Sequence, residues 1–126
     1  MPFRDIVVQD FWFRSLDYWN RTSSMNNAQG VPNADGSTTY VVSIRDPGVH
    51  NWIDPGGFHE VLLVHRWQGL KRDATSERLP KAVSHMVKLK DLDAALPADM
   101  RRVTAGQRKQ QLAEWLEAFN LRYVDH

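Results

Sequence analysis

Two Asp-Pro-Gly breaks, at residues 46–48 and 54–57, constrain the fold of this chain more than any other feature. Proline lacks the N–H that a strand ladder needs and glycine accepts a reversal of the backbone, so each break ends a strand. The loop between the breaks carries His50, Asn51 and Trp52. Because a tryptophan left fully in water is costly, we expect Trp52 to plug the end of a hydrophobic core.

Alternating side chains predict a strand on each side of this loop. Residues 37–46 alternate between two faces, and residues 59–67 carry apolar side chains on both faces, which is typical of an interior strand. Arg66 lies in the second of these strands. A guanidinium there needs an acceptor, so Arg66 is expected to pair with Asp46 or Glu60, or else to meet an anionic ligand.

The Asp-Gly pair at residues 35–36 tolerates positive φ and predicts a tight hairpin turn that leads into the first of these strands. If two residues form the turn, Asn27 faces Ile44 and Gln29 faces Val42. Buried amides need hydrogen-bond partners, so these side chains are expected either to join strands or to line a cavity.

Patterns outside this centre are shorter. The aromatic and β-branched stretch at residues 3–13 predicts an edge strand or an extended arm. Residues 15–21 and 82–90 alternate as strands do, and residues 69–80 form a polar loop of mixed charge.

The C-terminal part of the chain changes to a helical period. Residues 91–95 predict one helical turn before Pro97, and Thr104 with Gln107 is a capping-box signature for a final helix at about 104–123. Apolar residues of that helix fall on one stripe, which is expected to pack on the sheet: Leu112, Trp115, Leu116, Phe119 and Tyr123.

Composition excludes several classes of protein. A chain of 126 residues that is 42% hydrophobic and 25% charged fits one soluble domain over residues 1–126. Its net charge of +1 offers no electrostatic footprint for nucleic acid or anionic membranes. The chain has no cysteine, no targeting segment and no apolar run near the roughly 20 residues that span a bilayer. We therefore expect a cytoplasmic protein with no nucleic-acid or membrane partner.

Three motifs mark the centre of the chain: DGS at residues 35–37, DPG followed by NW within residues 46–52, and RW at residues 66–67. Together they resemble the bacterial domain-of-unknown-function family 1214. The flanking sequences at residues 15–29 and 96–112 are similar to a subgroup of that family.

The resemblance implies an antiparallel β-sandwich of jelly-roll-like type, here with the C-terminal α-helix, in a family that has no established activity or catalytic residues. Such a domain is usually the C-terminal part of a longer protein. This chain lacks the long N-terminal region of that pattern. It is therefore expected either to be a short stand-alone member or to work with a partner polypeptide that supplies the region.

The candidate ligand-binding residues come from the loop and the strand that follows it: Asp46, His50, Asn51, Trp52, Asp54, His59 and Arg66. For Asp46 and Asp54 a structural role is favoured, because such side chains often bond backbone donors and hold turns. His59 and His65 share a strand face but lie roughly 20 Å apart, too far to bind one ion together. No metal site and no cofactor is predicted.

The sequence predicts a non-catalytic ligand-binding or assembly module. The alternative is a small hydrolase or lyase with a polar pocket built from His50, Asp54, His59 and Arg66, which convergence on one cavity would favour. Aromatic residues could also form a stacking platform for a sugar or another small molecule: Trp12, Tyr18, Trp19, Trp52 and Trp67. Five tryptophans exceed what a core of this size needs, so a homo-oligomer is expected.

Overall fold

A computed structural model of the chain describes residues 4–14, 16, 21–67 and 81–124. The elements within these ranges are β1 (Arg4–Gln9), β2 (Ser24–Asn26), β3 (Val41–Val42), β4 (Trp52–Ile53), β5 (Leu62–Trp67), α1 (Leu92–Ala95) and α2 (Ala105–Val124). A 3₁₀ turn, Leu89–Asp91, leads into α1, and α1 confirms the helical turn predicted at residues 91–95 before Pro97. No helix in this part of the chain is long and apolar enough to cross a membrane.

Strands β2, β1 and β5 form an antiparallel sheet in that order. Ile6 and Val8 of β1 are buried, because the two-residue period of a strand sends both to the core face. The prediction of an edge strand or extended arm is therefore wrong for β1, which is the central strand. Its β-branched residues suit a position with a neighbour on each side.

Strands β3 and β4 form a separate, parallel pair in which Val41 lies opposite Trp52. A turn before β3 is present, but it differs from the predicted two-residue turn: only Gly36 of the Asp-Gly pair has a positive φ, +87°, and its N–H donates to the Asn33 carbonyl at 3.0 Å. The strand predicted at 37–46 is reduced to β3, because the chain after the turn pairs with β4 instead of with the residues before the turn.

A local turn replaces the predicted partner strand. The Asn26 side chain accepts the N–H groups two and three residues further on, at 2.9 and 3.0 Å. Bonds of this kind compete with a strand ladder. The predicted register, in which Asn27 faces Ile44 and Gln29 faces Val42, is therefore wrong, and the Asn27 N–H donates to a carbonyl of β1.

Two other predicted strands differ from the structure. The strand predicted at 59–67 is β5, which begins only at Leu62. Among the described residues β5 pairs with β1 alone, so the predicted interior position is wrong there. Alternation predicts a strand at residues 82–90, but residues 82–88 are exposed with no strand partner in the described ranges, and a 3₁₀ turn begins at Leu89. Alternation alone does not supply the backbone partner that a strand needs.

Two hydrophobic clusters form the core. The first contains Val41, Val49, Trp52, Leu92 and Met100, and the second contains Ile6, Val8, Met25 and Ile53. Because Trp52 and Ile53 are consecutive in β4, their side chains point to opposite sides and β4 joins the two clusters. The predicted burial of Trp52 in a core is confirmed.

Helix α2 confirms the helix predicted at 104–123. Its capping box is formed: the Thr104 N–H donates to Gln107 Oε1 at 2.8 Å, and the Gln107 N–H donates to Thr104 Oγ1 at 3.2 Å. Trp115 packs against the second cluster, as the predicted stripe requires, whereas Leu116 of the same stripe is exposed. The side chains of Phe119 and Tyr123 lie outside the described residues.

Of the predicted fold, the antiparallel sheet and the C-terminal helix are thus confirmed. Most of the short strand predicted at 15–21, and all of the polar loop predicted at 69–80, lie outside the described residues. Within the described ranges the strands form one three-stranded sheet and one two-stranded pair.

Candidate functional site

Arg108 of α2, which the sequence analysis did not single out, holds the loop between the two Asp-Pro-Gly breaks. Its side chain is buried, with 4% of the residue exposed. Nε and Nη2 donate to the two carboxylate oxygens of Asp46 at 3.0 and 3.2 Å, a bidentate pair. The guanidinium carbon lies 5.0 Å from the ring centroid of Trp52, within the range of a cation–π contact.

Arg108 also binds the backbone of the same loop. Nη2 donates to the Val49 carbonyl, and Nη1 donates to the His50 carbonyl at 3.3 Å and to Gln111 Oε1 at 2.6 Å. Gln111 in turn donates from Nε2 to the His50 carbonyl at 3.3 Å. The first turns of α2 are therefore fixed on the loop by a polar network in which each donor has an acceptor.

His50 and Asn51 connect the loop to the backbone of residues 29–39. Nε2 of His50 lies 2.9 Å from the Gln29 carbonyl. The Asn51 amide accepts the Val31 N–H at 2.9 Å and donates to the Val31 and Thr39 carbonyls at 2.7 and 3.0 Å. All of these partners are backbone groups, so the side-chain amide of Asn51 joins two backbone segments by hydrogen bonds, as a neighbouring strand would.

Asp46 and Asp54 both hold turns, as the sequence favoured. Asp46 Oδ1 accepts the Gly48 N–H at 2.9 Å, and Asp54 Oδ1 accepts the Gly56 N–H at 2.8 Å. Asp54 is also paired with Arg21 at 3.1 Å. The two carboxylates thus have separate basic partners and separate loops.

Arg66 pairs with Asp5, which lies opposite it in the β1–β5 register. This hydrogen bond raises the pKa of Arg66. The expected partners, Asp46 and Glu60, are wrong, because Arg66 lies on an exposed face of the sheet and reaches the facing residue of the neighbouring strand. The arginine is accounted for by a surface cross-strand pair.

The predicted site residues therefore fall into separate groups. Asp46, His50 and Trp52 meet around Arg108, and Asn51 lies next to them with backbone partners of its own. The other three candidates, Asp54, His59 and Arg66, lie elsewhere.

His59 belongs to an open depression of about 450 Å³, lined by Asp10, Phe11, Trp12, Arg14, Phe58, His59 and Glu60. We call this depression the aromatic groove. It lies where β1 ends and where the chain leads into β5, so the β1–β5 pair brings its two walls together. Phe11, Trp12 and Phe58 are 54%, 79% and 51% exposed, although aromatic side chains of this size are usually among the most buried.

Asp10 locks the first wall of the groove. Its Oδ1 accepts the N–H groups of Trp12 and Arg14 at 2.9 and 3.0 Å, and Oδ2 accepts Arg14 Nε at 2.8 Å. These bonds, led by the backbone N–H of Arg14, lower the pKa of Asp10. Phe13 has a φ of +60°, which is uncommon for a bulky residue. The turn is held in a strained form that displays its aromatic rings to water.

The second wall follows the other Asp-Pro-Gly break. Gly56 and Gly57 have φ values of +67° and +83°, and the Phe58 N–H donates to the Pro55 carbonyl at 3.2 Å. Gly56 is held by Asp54, so both walls of the groove rest on turns fixed by an aspartate.

Sequence reasoning named Trp12 as one member of a stacking platform but did not find the groove. The structure separates that platform: Trp12 is exposed, Trp52 is buried, and Trp67 lies beside His65 at 5.2 Å between ring centroids. Tyr18 and Trp19 lie outside the described residues. The available signal was the run of three aromatic residues that follows Asp10.

No protein-family model matches this chain, and no curated protein matches it. Among solved structures, the crystal structure of an uncharacterized protein from Burkholderia cenocepacia is 33% identical over 53% of this chain, with a TM-score of 0.46. The match covers 19% of the length of that protein.

Proposed function

We propose that this chain is a non-catalytic binding module that takes an extended polypeptide with apolar and basic side chains into the aromatic groove. The observation that carries this proposal is the locked turn after β1, which holds Phe11 and Trp12 in water opposite Phe58. A turn that served only to connect strands would not need to expose these rings.

The apolar surface of the groove supports a binding role. At about 200 Å² for each ring, Phe11, Trp12 and Phe58 together expose on the order of 400 Å². A patch of that size on one protein surface is often functional. Aromatic residues are enriched where proteins meet, because they bury a large area at a low cost in conformational entropy.

The charges around the groove favour a basic partner. Two carboxylates and one guanidinium line it, and the guanidinium of Arg14 is already paired with Asp10. Glu60 is exposed and, within the described part of the chain, has no basic partner. A lysine or arginine side chain of a bound polypeptide would supply one.

The rigidity of both walls favours a high affinity for a bound polypeptide. Binding costs free energy when loops and side chains must be ordered, and turns that are already ordered avoid part of that cost. The Asp10 and Asp54 side chains fix the two turns before any partner arrives. The open shape of the groove also suits a chain that lies across it.

The proposal extends to the wider setting of the module. In this proposal the chain is a cytoplasmic, jelly-roll-like sandwich of the type found in family 1214. The groove lies on one of the sheets of that sandwich. A partner polypeptide or a second copy would then cover it.

The side chains that a hydrolase or lyase would need do not meet in one cavity among the described residues. His59 lines the aromatic groove, whereas His50, Asp54 and Arg66 bind three different partners elsewhere. No observation therefore favours this alternative or calls for a second candidate function.

Selection from a phage-displayed library of random decapeptides tests the proposal. We expect enrichment of peptides that combine apolar and basic residues. These peptides should bind the wild-type chain, and their affinity for Trp12→Ser should be at least about tenfold lower. Phe13→Ser is the matched control, since Phe13 is exposed in the same turn but does not line the groove. Enriched peptides that bind all three proteins equally would contradict the proposal, as would no enrichment.

A further inference from the structure

We propose that the polypeptide bound in the aromatic groove is residues 81–90 of a second copy of this chain. This inference rests on the proposed function of the groove. It names the partner from three properties of the same chain: an exposed apolar segment, its charge, and the area that two copies would bury.

Residues 81–90 are exposed at every position; residues 81–88 belong to no helix or strand, and a 3₁₀ turn begins at Leu89. Val83 is 80% exposed and Met86 is fully exposed, and Val87 and Leu89 are also exposed. Over residues 81–88 the backbone has no strand partner among the described residues. A segment outside helices and strands, with uncovered apolar side chains and no strand partner in the described ranges, is suited to lie extended along a groove or a sheet edge.

The charge of the segment complements that of the groove. Lys81, Lys88 and Lys90 are its charged residues at neutral pH, so it has no carboxylate of its own. The groove has an excess of carboxylate, with Glu60 exposed on its rim. Opposite charges at the rim favour encounter and fix orientation.

Side-chain chemistry places Met86 against the rings. A thioether is polarizable and flexible, and it makes favourable contacts with the edges of aromatic rings. Trp12 and Phe58 present such rings across the groove. A lysine two residues further on, Lys88, would then lie within reach of Glu60 at the rim, since alternate residues of an extended chain are roughly 7 Å apart.

Each copy has one groove and one segment, so two copies can exchange segments and close a symmetric dimer. Two such contacts would bury on the order of 1,500 Å², taking roughly equal areas from groove and segment. That area is of the size found in specific, stable interfaces, whereas one contact alone would be too small.

Sedimentation velocity of the full chain over a concentration series tests the inference. We expect a reversible dimer for the wild type and at least about a tenfold higher dissociation constant for Trp12→Ser and for Met86→Asp. Phe13→Ser should dimerise as the wild type does. Circular dichroism of each variant checks that the fold is retained.

Charge reversal gives a second and more specific arm. Glu60→Lys and Lys88→Glu should each weaken the dimer, and the double variant should regain most of the lost affinity because the pair is restored with opposite signs. Lys109→Glu, on the exposed face of α2, is the matched control and should leave the dimer unchanged. Additive losses in the double variant would count against the proposed pairing.

Failure of this inference can be told apart from failure of the proposed function. A monomeric wild type, or a dimer that Trp12→Ser and Met86→Asp leave intact, overturns the second-copy inference. If library peptides still bind in a Trp12-dependent way, the proposed function stands. If neither library peptides nor a synthetic peptide of residues 81–90 binds in that way, both fail.

Discussion

Replacing Arg108 by Met should detach α2 from the loop between the two Asp-Pro-Gly breaks. It should also lower the stability of the whole chain. The substitution keeps most of the apolar volume of the side chain but removes the guanidinium. Asp46 and the carbonyls of Val49 and His50 then lose a charged donor together. The cation–π contact with Trp52 is lost as well.

The expected cost is about 4 kcal/mol in the free energy of unfolding, the sum of the lower values for the ion pair and for the Val49 carbonyl, since the His50 carbonyl keeps Gln111 as a donor. Removing one partner of a buried ion pair costs about 3–5 kcal/mol, and each unpaired buried carbonyl adds about 1–3 kcal/mol. The Asp46 side chain is 38% exposed, so water can solvate its carboxylate in the variant and the lower part of these ranges applies. Arg108→Lys should recover only part of the loss, because an ammonium cannot make the bidentate pair.

Urea unfolding followed by circular dichroism measures this cost. Lys109→Ala, next to Arg108 and exposed, is the control and should change stability by less than about 0.5 kcal/mol. A double-mutant cycle with Asp46→Asn isolates the pair, and we expect a coupling energy above about 1 kcal/mol. A loss below about 1 kcal/mol for Arg108→Met would refute the reasoning that the network holds the helix on the loop.

Three further outcomes follow from single contacts. Asn51→Ala should cost about 2–4 kcal/mol, because buried backbone groups lose their partners, and an unchanged urea midpoint would contradict this. Burial beside Tyr40 lowers the pKa of His65 below its usual 6.5, so the unfolded chain takes up a proton first and stability should fall as the pH drops below 6.5. His65→Phe should flatten that part of the pH profile, and an unchanged slope between pH 7.5 and pH 5.5 would show that another group is responsible. Thr104→Ala should lower the free energy of unfolding by about 1 kcal/mol through the loss of the helix cap, whereas Thr104→Ser should not, and an unchanged melting temperature for Thr104→Ala would contradict this.

Features that depend on neighbouring residues were predictable from the sequence. The capping box of α2, the turns held by Asp46 and Asp54, and the burial of Trp52 each follow from a residue type at a short spacing. These interactions form within a few residues, so the pattern contains both partners.

Features that depend on distant pairing were not predictable in the same way. Arg108 and Asp46 lie 62 positions apart, and Arg66 and Asp5 lie 61 apart, so no local pattern joins either pair. The central position of β1 likewise depends on which strands flank it. A signal for Arg108 was nevertheless present, since it lies one helical turn before the apolar stripe that contains Leu112.

The aromatic groove shows a third case. Its walls are set by two short turns that the sequence could suggest, but their closeness depends on the antiparallel pairing of β1 with β5. The exposure of Trp12 and Phe58 also runs against the usual burial of such residues. Sequence patterns assume that apolar residues are buried, so they miss a surface whose use requires the opposite.

The dissociation constant of the most enriched library peptide, measured by isothermal titration calorimetry against the wild-type chain and against Trp12→Ser, tests the role of the groove most directly. We expect saturable binding to the wild type, with binding to Trp12→Ser weaker by at least about tenfold and binding to Phe13→Ser unchanged. Equal affinity for the wild type and Trp12→Ser would contradict the assignment of the aromatic groove as the binding surface.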